Sequence, residues 1–195
     1  YLDRRPAAQT ALERAVQLIS HKKRPLIIAG GGVHYSLATD ELRRFAERYH
    51  MPIVETQAGK SAIPWNHHLS MGGVGVTGSS AGNRLAREAD LIIAIGTRLA
   101  DFTTASKTAF THPEVEIISI NISGFDAVKL NGLAVLSDAK DTLQALMSAD
   151  QLAGYRSAYS DEELRTLKQG WDAEVERLYA AEREEGLSQT AVIGT

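Results

Sequence analysis

A chain of 195 residues with 44% hydrophobic and 23% charged residues is long enough to bury one substantial core, and its net charge of −3 offers no strongly basic face for nucleic acid. It holds no cysteine, which removes disulfides, thiol nucleophiles and zinc–thiolate sites, and no apolar run reaches the roughly 18 to 20 residues that cross a bilayer. The opening "YLDRRPAAQT" lacks both an initiator Met and the apolar stretch of a signal peptide, so the expectation is a cytoplasmic, non-membrane protein cut from something longer.

Thr10 and Glu13 stand at the spacing of a capping box, and Leu12, Ala15, Val16 and Ile19 recur at helical intervals, which predicts a first helix to about Ser20. Residues 26–29, between Pro25 and three glycines, read as a short strand buried on both faces. Over 37–50, Leu42, Phe45, Ala46 and Tyr49 share one face, with Asp40 and Glu41 near the start where the helix dipole favours negative charge; this predicts a crossover helix. "PIVET" from Pro52 is the next strand, and "QAGKSAIPWNHH" is the loop leaving its carboxyl end. Gly59, Lys60 and Ser61 are ordered as at the close of a P-loop, but position 54 is Val where that loop needs glycine, so its ring of amide donors cannot form.

The glycine-rich run from Met71 leads into a helix that starts near Ser79 or Ser80, after which "DLIIAIGTR" is the clearest strand in the chain. "VEIISINIS" and "GLAVLSD" follow, the latter entering a helix capped by Asp138 with Leu143, Leu146 and Met147 inward. Alternating strands and helices predict an α/β fold, a doubly wound parallel sheet of five or six strands flanked by helices. Beyond Ala153 the sequence turns charged and helical. Ser160 and Glu163 repeat the capping-box spacing, and Leu164, Leu167, Trp171, Val175 and Leu178 form a narrow stripe suited to a neighbouring domain. Gly186 reads as its C-cap and "LSQTAVIGT" as the first turn of what comes next, which gives two units, 1–153 and 154–195.

In open parallel sheets, ligands sit at the carboxyl ends of the strands, where loops and helix N-termini converge. Those ends carry Gly31 and Gly32, Thr56 and Gln57, Gly73 and Thr77, Gly96 and Arg98, Asn121, and Asp138. Glycines admit a pyrophosphate, Arg98 pairs with phosphate, and Asp138 or Asn121 suits ribose or adenine; alternatively the glycines serve tight turns alone. The dinucleotide fingerprint is incomplete, because Tyr35 stands where its third glycine belongs, although Glu55 ends the second strand as a ribose-binding acid would; an NAD enzyme stays open. His67 and His68 are adjacent and diverge, so they read as surface loop, not as metal ligands. Ser79 lacks a nucleophile elbow, and the chain reads as binding scaffold, not catalytic centre.

The order "RPLIIAGGGV", a helix, "PIVETQAGKSAIP", "GGVGVTGSSAGNRLAREADLIIAIGTRLADFTT" and "INIS" resembles the central domain of thiamine-diphosphate-dependent enzymes, the family that includes acetohydroxyacid synthase and pyruvate oxidase. The resemblance spans about residues 10–150, and "ETQAGKSAIPWNHH", "GVTGSSAGN" and "GTRLADFTT" are most similar to a branch that cleaves a C–C bond of a cyclic 1,2-dione hydrolytically in inositol catabolism. It implies a Rossmann-like domain of the NAD/FAD-binding type within a homo-oligomer. It also implies that thiamine diphosphate and magnesium are held by neighbouring domains of the same polypeptide. The magnesium motif of the family, Gly-Asp-Gly, does not occur here, so this portion is expected to be inert alone. In flavin-binding relatives the central domain holds FAD, and the resemblance places an FAD or ADP rim at Gly31, Gly32, Thr56, Gly73, Thr77, Gly96, Arg98 and Asp138. Two positions depart from the synthases: Asn121 replaces an acid that meets adenosine, and Phe102 replaces an arginine near the active site, which argues against short 2-oxo acids. The loop 57–68 is expected along the face shared with the catalytic domains, with Lys60 and Ser61 lining a substrate channel.

Overall fold

In the computed structural model, which describes residues 3–180 and 188–194, two strands form the middle of one sheet: β1 (Pro25–Ala29) and β4 (Leu91–Ile95). Every residue of both is buried. Apolar runs without alternation are what strands covered on both faces require. On one side lie β2 (Ile53–Glu55) and β3 (Ser70–Gly73), on the other β5 (Glu116–Asn121) and β6 (Leu133–Leu136). The order is β3-β2-β1-β4-β5-β6, and each neighbouring pair is parallel. This is the doubly wound sheet expected, with six strands. The strand that the sequence hides is β3, whose two glycines carry no strand propensity; pairing with β2 overrides them.

Helices flank the sheet. The chain begins with α1 (Gln9–His21), and α2 (Gly31–Tyr35) and α3 (Thr39–Tyr49) join β1 to β2. α4 (Ser80–Glu88) leads into β4, while the short α5 (Asp101–Thr104) and α6 (Gly124–Ala127) follow β4 and β5. α7 (Ala139–Met147) follows β6, and α8 (Asp161–Tyr179) and α9 (Gln189–Ile193) complete the chain's helices. α1, α3 and α7 pack together, and α4 meets β3 and α8.

Several helix starts match their sequence signals. Ser79 caps α4 by accepting from the Gly82 amide, and Asp138 caps α7 by accepting from the amides of Lys140 and Asp141. The capping box at Thr10 does not form: α1 begins one residue earlier, after Ala8, and Glu13 accepts from Gln9 Nε2 at 2.9 Å instead. The crossover helix likewise starts at Thr39, because Leu37 occupies a left-handed turn at φ 53° that separates it from α2.

Half of the second capping box exists. Ser160 Oγ accepts from the Glu163 amide at 3.1 Å, but the Glu163 carboxylate turns to Arg24, 2.6 Å away. That hydrogen bond holds the Glu163 carboxyl below its ordinary pKa. Arg24 also reaches Glu88 of α4 at 3.2 Å and lies 4.3 Å from the centre of the Tyr159 ring, so one guanidinium fastens α8 to the body. The stripe on α8 therefore faces inward in its first half: Leu164 is buried, and Leu167 and Trp171 pack on the common core beside α4 and β3. Gly186 lies outside the described residues; Ser188 caps α9 by accepting from the Ala191 amide.

Candidate functional site

Winding proceeds from β1 outward to β3 in one direction and from β4 outward to β6 in the other. Their carboxyl ends therefore leave a crevice, the usual ligand position in such sheets. A cavity of ≈ 780 Å³ opens there, and it gathers Gly31, Gly32, Thr56, Gly96, Arg98 and Asp138. Gly73 and Thr77 fall instead in a second cavity of ≈ 750 Å³ beside α8, which Lys60 also lines. Ser61 lines neither; it is exposed in a left-handed turn at φ 68°.

The rim glycines are explained first by packing between two loops. The Gly30 amide donates to the Ile95 carbonyl at 2.8 Å, and the Gly32 amide to the Gly96 carbonyl at 3.0 Å. A Cβ on Gly96 would sit 2.5 Å from Gly32 Cα, and Gly96 has φ +61°. Gly31 differs, since a Cβ there would meet Ala58 at 3.2 Å and have room. The Gly-Lys-Ser stretch also has a packing origin: a Cβ on Gly59 would fall 2.0 Å from the Ala29 carbonyl oxygen. Its amide donates to Thr56 Oγ1 at 3.1 Å, which spends the Thr56 hydroxyl on the turn.

Asp138 is engaged from several sides. Its Oδ1 accepts from Arg4 at 2.7 Å, from Ser36 Oγ at 2.7 Å and from the Lys140 amide at 2.9 Å. Burial works against its charge, yet the hydrogen bonds from Ser36 and Arg4 win and hold its carboxyl below the usual value. Asn121 is spent as well, donating to the Thr97 carbonyl at 2.9 Å and accepting from the Ser123 amide at 3.0 Å, so that it braces the loops after β4 and β5. Arg98 is exposed at the cavity wall. Around it stand Tyr35, Ile122 and Phe125, exposed at 84%, 71% and 78%, together with Val76 and Phe102. Such a concentration of exposed apolar side chains marks a surface that meets something.

His67 and His68 stack with ring centres 4.4 Å apart, and His67 Nε2 lies 3.0 Å from Glu47 on α3, so His67 ties its loop down while His68 stays exposed. Among the described residues no group of three or more His, Asp or Glu could hold a metal ion. Two features escaped the sequence. Arg4 and Ser36 reach Asp138 across 134 and 102 positions, a pairing that no local pattern announces. The cavity beside α8 did have a signal, since Trp171 and Val175 belong to the stripe already noted.

The chain matches the family described as thiamine pyrophosphate enzyme, central domain, over residues 12–146. It is 50% identical over 181 residues to 3D-(3,5/4)-trihydroxycyclohexane-1,2-dione hydrolase of Clostridium tetani, covering 93% of this chain and 28% of that protein. Identity is 49% over 178 residues, 91% of this chain and 28% of the relative, both to the hydrolase 1 of that name in Bacillus cereus and to the hydrolase of Bacillus thuringiensis (strain Al Hakam). The chain thus spans little more than a quarter of the length of these relatives.

Proposed function

Because the chain belongs to the family of thiamine pyrophosphate enzyme central domains, we propose that it is the noncatalytic middle of a hydrolase that opens 3D-(3,5/4)-trihydroxycyclohexane-1,2-dione by C–C cleavage. The observation that carries this reading is identity near one half across nine-tenths of the chain with relatives of that name. Residues 1–153 form the central domain in this reading, and 154–195 lead into the following one. Thiamine diphosphate and magnesium do not fit the described residues, which offer no cluster for a metal. Other domains of the polypeptide hold them in this proposal. The exposed apolar side chains at the rim support a cytoplasmic homo-oligomer in which this surface is covered.

The full-length polypeptide, supplied with the dione, thiamine diphosphate and magnesium, is expected to release the ring-opened acid, while the 195-residue chain releases none. Consumption of a short 2-oxo acid in place of the dione would overturn the substrate assignment.

The rim itself is read as architecture. Thr56, Asn121 and Asp138, the residues placed to recognise a nucleoside, are already spent on bonds within the chain. Calorimetric titration with FAD, ADP and NAD is expected to give no heat and no rise in melting temperature, since a ligand that binds only the native state must raise it. Micromolar binding of FAD or ADP would make the rim a working nucleotide site, and binding of NAD alone would point to a dehydrogenase.

A further inference from the structure

The second cavity lies between α8 and the strand β3, away from the rim. Its floor is made by Gly72 and Gly73, where missing side chains leave space for the Trp171 indole: a Cβ on Gly72 would stand 3.7 Å from Trp171 Nε1. Trp65 and Tyr179 add aromatic surface at its walls. Lys168 donates to the Trp65 carbonyl at 2.7 Å and to the Ser70 carbonyl at 3.2 Å, which clamps the Trp65 loop to α8 and occupies that ammonium group. Glu55 is occupied too, accepting from the Ile63 amide at 3.2 Å. Among the described residues the side chains of Lys60, Asp172 and Glu176 have no hydrogen-bond or ion-pair partner, and all three line the space.

We propose that this cavity binds a small, uncharged, polyhydroxylated ring. A hydroxyl both donates and accepts, so a polyol needs donors and acceptors side by side. Carboxylates at Asp172 and Glu176 accept, the Lys60 ammonium donates, and the Gln57 amide and Thr77 hydroxyl do both. The C–H faces of such a ring are apolar and pack on indole or phenol surfaces, which Trp65, Trp171 and Tyr179 provide. Charge excludes the main competitors, because carboxylates repel an anion and lysines repel a cation held in the same space. A volume of ≈ 750 Å³ accommodates one ring of this class. The site stands apart from the proposed reaction: its lining selects a hydroxylated ring whether or not the polypeptide cleaves one.

The chain contains two tryptophans, and both line this cavity, so its tryptophan emission reports on the site directly. The 195-residue chain, which carries its own continuous core, is titrated with myo-inositol, a cyclohexane hexol without a cleavable dione. A saturable emission change at about millimolar concentration is expected. The double substitution Asp172→Asn with Glu176→Gln weakens binding about tenfold or more with the melting temperature unchanged, and Lys60→Met on the facing loop weakens it independently. Inorganic phosphate and tetramethylammonium leave the emission unaltered. No saturable change up to about 100 mM, full binding by the double variant, or equal binding of either charged probe would each overturn the proposal.

Discussion

Gly96→Ala is expected to destabilise the chain by about 3 kcal/mol, whereas the same change at Gly170 stabilises it by about 0.5 to 1 kcal/mol. At position 96 two costs add. The left-handed φ of +61° strains an alanine by about 1 to 2 kcal/mol. The new Cβ must also push aside Gly32, whose Cα, carbonyl carbon and nitrogen would lie 2.5, 2.8 and 2.9 Å away, all of them backbone. Overpacking that no side chain can relieve costs about 1 to 3 kcal/mol more. Gly170 sits within α8 with nothing within 4 Å of a new Cβ, so alanine there only removes the helix penalty of glycine. Thermal melts followed by circular dichroism should place the two variants on opposite sides of the parent, with Gly96→Ala lower by about 6 to 12 °C. A Gly96→Ala melt within about 1 °C of the parent would mean that the loops after β1 and β4 are not in contact.

Asp138→Ala is the second large effect, at about 2 to 3 kcal/mol. The change removes the cap of α7 and strips Arg4 and Ser36 of a shared acceptor, 13% exposed on the aspartate side. Asp138→Asn keeps a capping oxygen and loses only the charge, so it should cost about 1 kcal/mol. The pH dependence has a definite sign. Because the folded carboxyl titrates below its unfolded value, its contribution is present in full above the ordinary pKa of about 3.9 and is lost as the pH falls through the lower folded value. Urea melts of parent and Asp138→Ala should therefore differ at neutral pH and converge in acid. Equal stability at neutral pH would remove Asp138 from the architecture and return it to the ligand contacts.

The same two residues mark what was legible in the sequence. The unbroken apolar runs of β1 and β4 announced buried parallel strands, because a strand covered on both faces has no polar side to display. Asp138 announced its helix, since capping is a local property that spans three residues. Gly96 was found but not understood: the sequence places a glycine at a strand end, and only the paired loops reveal that its partner is Gly32 and not a phosphate. Arg4 was invisible for the opposite reason, because its bond to Asp138 joins positions 134 residues apart. On α8 the stripe was correctly spaced but assigned a remote partner; the surface that receives Leu164 and Trp171 is built by β3, the strand whose glycines concealed it.

The placement of α1 and α8 carries one more consequence. α1 lies against β6 and α8 against β3, at opposite edges of the sheet, which for five gaps between strands are about 24 Å apart. Yet both chain directions open on the same side, since Arg5 reaches Asp138 at the carboxyl end of the sheet and Tyr179 stands beside Gln57 and Thr77 there. Any domains joined at these two points are tethered like the ends of a bridge above Tyr35, Ile122 and Phe125. A tether raises the local concentration of what it holds to about millimolar, so this apolar surface can be roofed by contacts too weak to capture a free partner.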